Sequence, residues 1–83
     1  MSLVFIDLET TGLVPMKNEI ITMGVVVCNE KLRIKSKRYF ELKPECKATF
    51  EKEAQKVHGI SWKESQKFPD ALRTMYEFFG YLD

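Results

Sequence analysis

The sequence predicts a mixed α/β fold that opens with three antiparallel strands and continues with helices. Three observations carry this. Residues 3–8, 20–28 and 34–42 are apolar or β-branched runs of strand length. Turn-forming residues separate them. Beyond Pro44 the apolar spacing changes from a period of two to a helical period.

Leu3-Val4-Phe5-Ile6-Asp7-Leu8 reads as the first strand, with Val4, Ile6 and Leu8 on one face and Leu3, Phe5 and Asp7 on the other. Both faces are mostly apolar, which predicts a central strand covered on two sides. Thr10-Thr11-Gly12 breaks the run, and Pro15 marks a loop. Ile20 to Cys28 is the second strand, rich in β-branched residues. Gly24 within it predicts a bulge or a close backbone approach. Asn29-Glu30-Lys31 is a hairpin connection. In the third strand, Ile34 to Leu42, apolar Ile34, Phe40 and Leu42 alternate with Lys35, Lys37 and Glu41, the pattern of an edge strand with a wet face.

The helical part follows Pro44. Thr49 is placed to cap a helix whose first turn carries Glu51 and Glu53, and Phe50, Ala54 and Val57 share a face. Gly59 is expected to end that helix in a left-handed conformation. Ser61 and Glu64 have capping-box spacing, so a short helical turn begins at Trp62. Pro69 opens the last helix, with Leu72, Met75, Tyr76 and Phe79 as its apolar stripe and Gly80 as its stop.

Composition bounds the rest. With 83 residues the chain is one small domain at most. It buries only about 60–65% of the surface that its unfolded form exposes, so marginal stability is expected. Thirteen basic and twelve acidic residues give a net charge of +1, which by itself announces no nucleic-acid partner. Cys28 and Cys46 are too few and too far apart for a zinc knuckle or a redox pair. No secretory leader and no membrane-spanning stretch are visible, so reduced thiols and a cytoplasmic location are expected.

The chemistry concentrates at Asp7 and Glu9. Two residues apart on a strand, both side chains project from the same face. Held together beside an apolar strand they repel and lose hydration, and a divalent cation relieves both. Magnesium takes one or two protein carboxylates and completes its shell with water and substrate phosphates. Such spacing is also common on solvated strand ends. The context distinguishes this instance: Thr-Thr-Gly follows, with small hydroxyls and backbone N–H groups able to receive a phosphate or a terminal hydroxyl. On spacing alone His58 reads first as a helix-end histidine favoured by the helix dipole and second as a substrate contact. Trp62 and Phe68 read as core before stacking platforms, and Lys35, Lys37 and Arg38 as a solvated edge before a phosphate track.

Val4-Phe5-Ile6-Asp7-Leu8-Glu9-Thr10-Thr11-Gly12-Leu13 resembles the first motif of the DEDDh-type 3′–5′ exonucleases, the family of the proofreading epsilon subunit of DNA polymerase III, RNase T and oligoribonuclease. Glu19-Ile20-Ile21-Thr22-Met23-Gly24 is similar to that family's second strand, and Ala54-Gln55-Lys56-Val57-His58-Gly59-Ile60 to its His-Gly-Ile segment near the substrate. The resemblance implies a ribonuclease-H-like exonuclease fold. It implies Asp7 and Glu9 as catalytic metal ligands for Mg2+ or Mn2+, two ions in the complete enzyme. It implies Thr10, Thr11, Gly12, Leu13 and His58 as contacts to the terminal nucleotide. The partners it implies are a single-stranded DNA or RNA 3′ end and a polymerase subunit.

The departure lies downstream. The family's second acidic motif and its later His–Asp motif are not found, and Asp70 and Asp83 do not sit in the contexts of those motifs. Residues 1–83 therefore read as the N-terminal portion of a single exonuclease domain, with the fold incomplete. Two other readings stand beside this one. The chain is a non-catalytic module that binds a nucleotide end or a protein, or it completes its site with another chain, self-associating through the exposed edge of its first strand.

Overall fold

The computed structural model describes residues 2–82. Strands β1 (Ser2–Thr10), β2 (Ile20–Asn29) and β3 (Ile34–Glu41) form an antiparallel sheet in the order β1-β2-β3. The 3-10 turn Lys47–Thr49 follows, then α1 (Lys52–His58), α2 (Trp62–Ser65) and α3 (Ala71–Leu82). This is the strand-then-helix order that the sequence predicts.

The centre of the sheet is β2, not β1. The buried residues Ile21, Thr22, Met23, Val25 and Cys28 all belong to β2. Among the described residues β1 pairs along one edge only, and its Val4, Phe5, Ile6 and Leu8 stay between 44% and 52% exposed. The two-sided apolar pattern of β1 is real, but these residues do not supply the cover it calls for. The third strand is an edge, as its lysines predict. Gly24 marks neither a bulge nor a tight approach: a Cβ there would meet only the Asp7 carbonyl at 3.9 Å. The register shifts instead at Glu9/Thr10 and at Val27/Cys28.

Register assigns the faces. Leu8, Met23 and Phe40 are cross-strand partners, as are Ile6, Val25 and Arg38. This face receives α3. Met23, Val25, Phe40, Leu42 and Phe78 form the core, with Ile20, Val27, Ala71, Met75 and Tyr81 packed around them. Phe40 and Phe78 meet edge to face at 5.6 Å. The Arg38 guanidinium lies 4.9 Å from the Phe40 ring centre and 5.2 Å from that of Tyr81, so this cation caps the aromatic cluster. Tyr81 is hydrogen-bonded to Ser36 through their hydroxyls. Thr74 Oγ1 donates to the Glu41 carbonyl at 2.8 Å and ties the start of α3 to the end of β3. The opposite face carries Phe5 with Val26 and Lys37, Asp7 with Gly24 and Tyr39, and Glu9 with Thr22 and Glu41.

The helices keep some of the predicted signals and move others. Gly59 is left-handed at φ 72° and its N–H donates to the Gln55 carbonyl, ending α1 as expected. Ser61 caps α2, accepting from the Glu64 N–H at 3.1 Å. Thr49 does not cap a helix; its hydroxyl donates to the Cys46 carbonyl within the 3-10 turn, and Glu51 occupies the start of α1. Val57 is 85% exposed and takes no part in a core face. In α3 the buried residues are Thr74 and Phe78, whereas Leu72, Tyr76 and Phe79 face outward. Gly80 lies inside α3 rather than ending it.

Candidate active site

Asp7 and Glu9 sit near the end of β1, opposite Gly24 and Thr22 of β2. Neighbours two apart on the strand, they project from the sheet face that α3 leaves open. Among the described residues neither carboxylate has a hydrogen bond or an ion pair. Asp7 lines a shallow depression of about 490 Å³ with Phe5, Gly24, Val26, Lys37 and Tyr39. The absence of a side chain at Gly24 leaves the space beside Asp7 open.

Glu9 opens into a second cavity, of about 440 Å³, on the helix side of the strand end. Here the chain brings together most of the residues singled out from its sequence: Glu9, Thr10, Gly12, Leu13 and His58. Residues nearly fifty positions apart thus share one wall. Leu13 stands 94% exposed at the rim, and Thr10 Oγ1 donates to the Gly12 carbonyl at 2.7 Å, closing a tight turn after β1. Thr11 does not line the cavity. It is fully buried, its hydroxyl accepts from the Glu19 N–H at 2.9 Å, and its carbonyl accepts from the Glu51 N–H at 2.8 Å. Its part is to fix the loop beneath the cavity.

His58 ends α1 and half-buries its ring, which meets Phe50 edge to face at 6.1 Å. Its Nδ1 accepts from the Ile60 N–H at 2.9 Å, so the imidazole is oriented by the turn at Gly59. Phe50 in turn packs against Trp62 at 5.6 Å, which makes Trp62 a support for the cavity wall rather than an open stacking surface. Arg38 and Lys35 are likewise engaged, in the aromatic cluster and with the Ser2 hydroxyl.

Two residues shape the site without having been marked from the sequence. Asn18 is the hub of the loop: its Oδ1 accepts from the Val14 N–H at 2.9 Å, and its Nδ2 donates to the Thr49 carbonyl at 2.8 Å and to Thr11 Oγ1 at 3.3 Å. Glu51 lies over Gly12, where an added Cβ would land on Glu51 Oε2. The Glu19 carboxylate completes the link by accepting from the Glu45 and Cys46 N–H groups at 2.9 and 3.1 Å. Nothing local distinguishes Asn18 from any loop asparagine, because the partner that makes it a hub, the Thr49 carbonyl, lies thirty-one positions away.

The donor set suits a hard cation in part. An exposed Asp7 and a half-buried Glu9 on one face are the protein share that magnesium or manganese takes when water and phosphate supply the rest. Among the described residues no group of three or more His, Cys, Asp or Glu side chains could hold a metal ion. Asp70 lies elsewhere, bridged to Lys43 at the start of α3, and Asp83 is outside the described residues. No helix among the described residues is long and apolar enough to cross a membrane.

The fold is shared with solved nucleases. Exonuclease I with bound product superposes with a TM-score of 0.75 at 20% identity, over 83% of this chain and 16% of that one. The nuclease domain of 3′hExo, a DEDDh family member bound to rAMP, gives 0.78 at 21% identity, over 98% and 43%. A 3′-exonuclease recognising the 3′ end of a histone mRNA stem-loop gives 0.77 at 21% identity, over 96% and 29%. The chain therefore spans less than half the length of each of these proteins. None of the curated proteins matches it. The exonuclease family model, of the RNase T type, matches residues 4–83, and with nearly the whole sequence inside that match the chain belongs to the exonuclease family.

Proposed function

We propose that this chain supplies the first acidic pair and the terminal-nucleotide pocket of a DEDDh-type 3′–5′ exonuclease, of which residues 1–83 are the N-terminal portion of one domain. One observation carries the reading: Asp7 and Glu9 share a face of β1, and Glu9 opens directly into the cavity formed by Thr10, Gly12, Leu13 and His58. A nucleotide seated there would bring its 5′-side phosphodiester to the two carboxylates. Asp7 and Glu9 would hold magnesium or manganese, which supplies activation of water and stabilisation of the leaving oxygen. The chain's own residues do the remainder. Leu13 and Val57 flank the cavity mouth, Thr10 and Gly12 form its floor, and Thr11 and Asn18 hold that floor against the segment that leads into α1. Acceptance of a free end, rather than the middle of a strand, follows from a pocket sized for one nucleotide. A protein of similar fold recognises the 3′ end of a histone mRNA stem-loop, and Exonuclease I is solved in complex with dA13 and dT13 oligonucleotides, so a single-stranded 3′ end of either type is the proposed substrate. A polymerase subunit as partner and a cytoplasmic setting belong to the same reading.

The test is degradation of a 5′-labelled single-stranded oligonucleotide with Mg2+ or Mn2+. A ladder shortening from the 3′ end, abolished by EDTA and reduced to background by Asp7→Ala, supports catalysis. That no group of three or more potential metal-ligating side chains is found among the described residues favours a second reading, in which the stretch by itself binds nucleotide ends without cutting. In that case the oligonucleotide binds, no ladder forms, and Asp7→Ala leaves the affinity unchanged.

A further inference from the structure

The net charge of +1 conceals a separation. Residues 30–38, the β2–β3 turn and most of β3, hold five bases against the single acid Glu30, a net +4, and the rest of the chain is left with eight bases and eleven acids, a net −3. Two of the five cations are used within the fold, Arg38 over the aromatic cluster and Lys35 on the Ser2 hydroxyl. Among the described residues the side chains of Lys31, Arg33 and Lys37 have no hydrogen bond and no ion pair.

Asn29 builds the turn that carries Lys31 and Arg33. Its N–H donates to the Arg33 carbonyl and its carbonyl accepts from the Leu32 N–H, both at 2.9 Å. Its Oδ1 accepts from the Lys31 and Arg33 N–H groups at 2.9 and 3.0 Å. In a hairpin turn of this kind the last loop position is left-handed, and glycine is its usual occupant. Here it is Leu32, at φ 64°, with a side chain 63% exposed. A leucine held left-handed is strained, and the fold gains little from a side chain left so open. The turn therefore holds an apolar tip between two unpaired cations, in a conformation that glycine would adopt without strain.

Cations around an apolar wedge suit a polyanion with an apolar interior: phosphates outside, stacked bases within. An anionic membrane shares that chemistry, but one leucine and two cations fall short of stable anchoring. A strand already held at the acidic pair needs only a weak second contact, because that contact is then intramolecular. The turn also lies along the line of the site. The cavity, Glu9, Asp7 and the depression that holds Lys37 follow one another down β1, and Ser2 at its far end pairs with Asn29. Asp7 and Ser2 are five positions apart, about 17 Å of strand. A stacked nucleic-acid strand covers that in about five nucleotides.

We propose that the β2–β3 turn is a second nucleic-acid contact, in which Lys31 and Arg33 take phosphates on the 5′ side of the strand and Leu32 enters between two bases. The inference rests on the proposed function for the nature of its ligand, and the experiment keeps the two apart. Fluorescence anisotropy in EDTA, where metal-dependent cutting is blocked, follows a closed circle of single-stranded DNA, which has no end to seat in the cavity. The circle should bind. Lys31→Glu with Arg33→Glu should weaken it and lower the slope of log K against log salt by about 1.4, the share of two phosphates on a single strand. Leu32→Gly should weaken it about fivefold and raise Tm by about 4–8 °C as the strain is relieved. Weaker binding with higher stability is a pair of signs that a merely structural leucine would not give. A circle that does not bind, a salt slope unchanged in the charge variant, or a lower Tm in Leu32→Gly would overturn the inference. So would loss of binding to phosphatidylserine vesicles in these variants with DNA binding intact, which would make the turn a membrane contact. A 3′ ladder from the linear strand with an unbound circle leaves the proposed function standing and overturns this inference alone. A circle bound through the turn, with no ladder from the linear strand, supports this contact and counts against cutting.

Discussion

Gly12 occupies a position where a methyl group has no room. A Cβ there would fall on Glu51 Oε2 and within 2.5 Å of Asn18 Nδ2, and Asn18 is held by three hydrogen bonds. Gly12→Ala should therefore push both side chains aside and cost about 1–3 kcal/mol, measurable by urea denaturation. Asn18→Ala leaves the Thr49 carbonyl and the Val14 N–H without their partner. Its expected cost is about 1–3 kcal/mol, and equal stability of that variant would show that water replaces the amide without loss. At this scale the sequence was partly readable. Asp7, Glu9 and the Thr-Thr-Gly turn stand in one contiguous segment, where spacing is informative. Thr11 and Asn18 were not readable as supports, because the bonds that tie the loop down reach Glu51, forty positions beyond Thr11, and Thr49, thirty-one beyond Asn18.

The elements show the same division between local and distant causes. Ser61 and Gly59 mark helix boundaries through bonds to residues three or four positions away, and both boundaries fall where the sequence puts them. The buried face of α3 does not. Leu72, Met75, Tyr76, Phe78, Phe79, Tyr81 and Leu82 give that helix apolar residues all round, so only the sheet it packs on decides that Thr74 and Phe78 go inward. Two glycines make a matched test of element-level reasoning, since a Cβ at either meets nothing within 4 Å. Gly59→Ala forces a left-handed alanine and should destabilise by about 1 kcal/mol. Gly80→Ala, inside α3, should stabilise by about 1 kcal/mol. Thermal unfolding of the two variants reads both signs, and a loss at Gly80 would show that the helix is not formed there in solution.

At the scale of the molecule the sheet is covered on one face by α3, and the apolar residues of β1 and the outer side of α3 stay open. Leu8 and Phe79 are 44% and 57% exposed, whereas Val25 is buried at 1%; the core is therefore complete beneath β2 and thin toward β1. A chain with an unpaired apolar edge strand should self-associate as its concentration rises. Sedimentation equilibrium is expected to show a mass that increases with concentration and returns to the monomer value in an Ile6→Lys variant. A monomer across the whole range would sink that expectation.

The open edge of β1 also governs how firmly the acidic pair is held. Among the described residues Asp7 and Glu9 ride on a strand bonded along one side, so their relative placement fluctuates with whatever does or does not lie along the other. Anything that pairs with that edge restrains the two carboxylates and lowers the entropy lost when they close on a shared ligand. Reciprocity then holds between the two events: the factor by which edge pairing tightens a ligand at Asp7 and Glu9 is the factor by which that ligand tightens edge pairing.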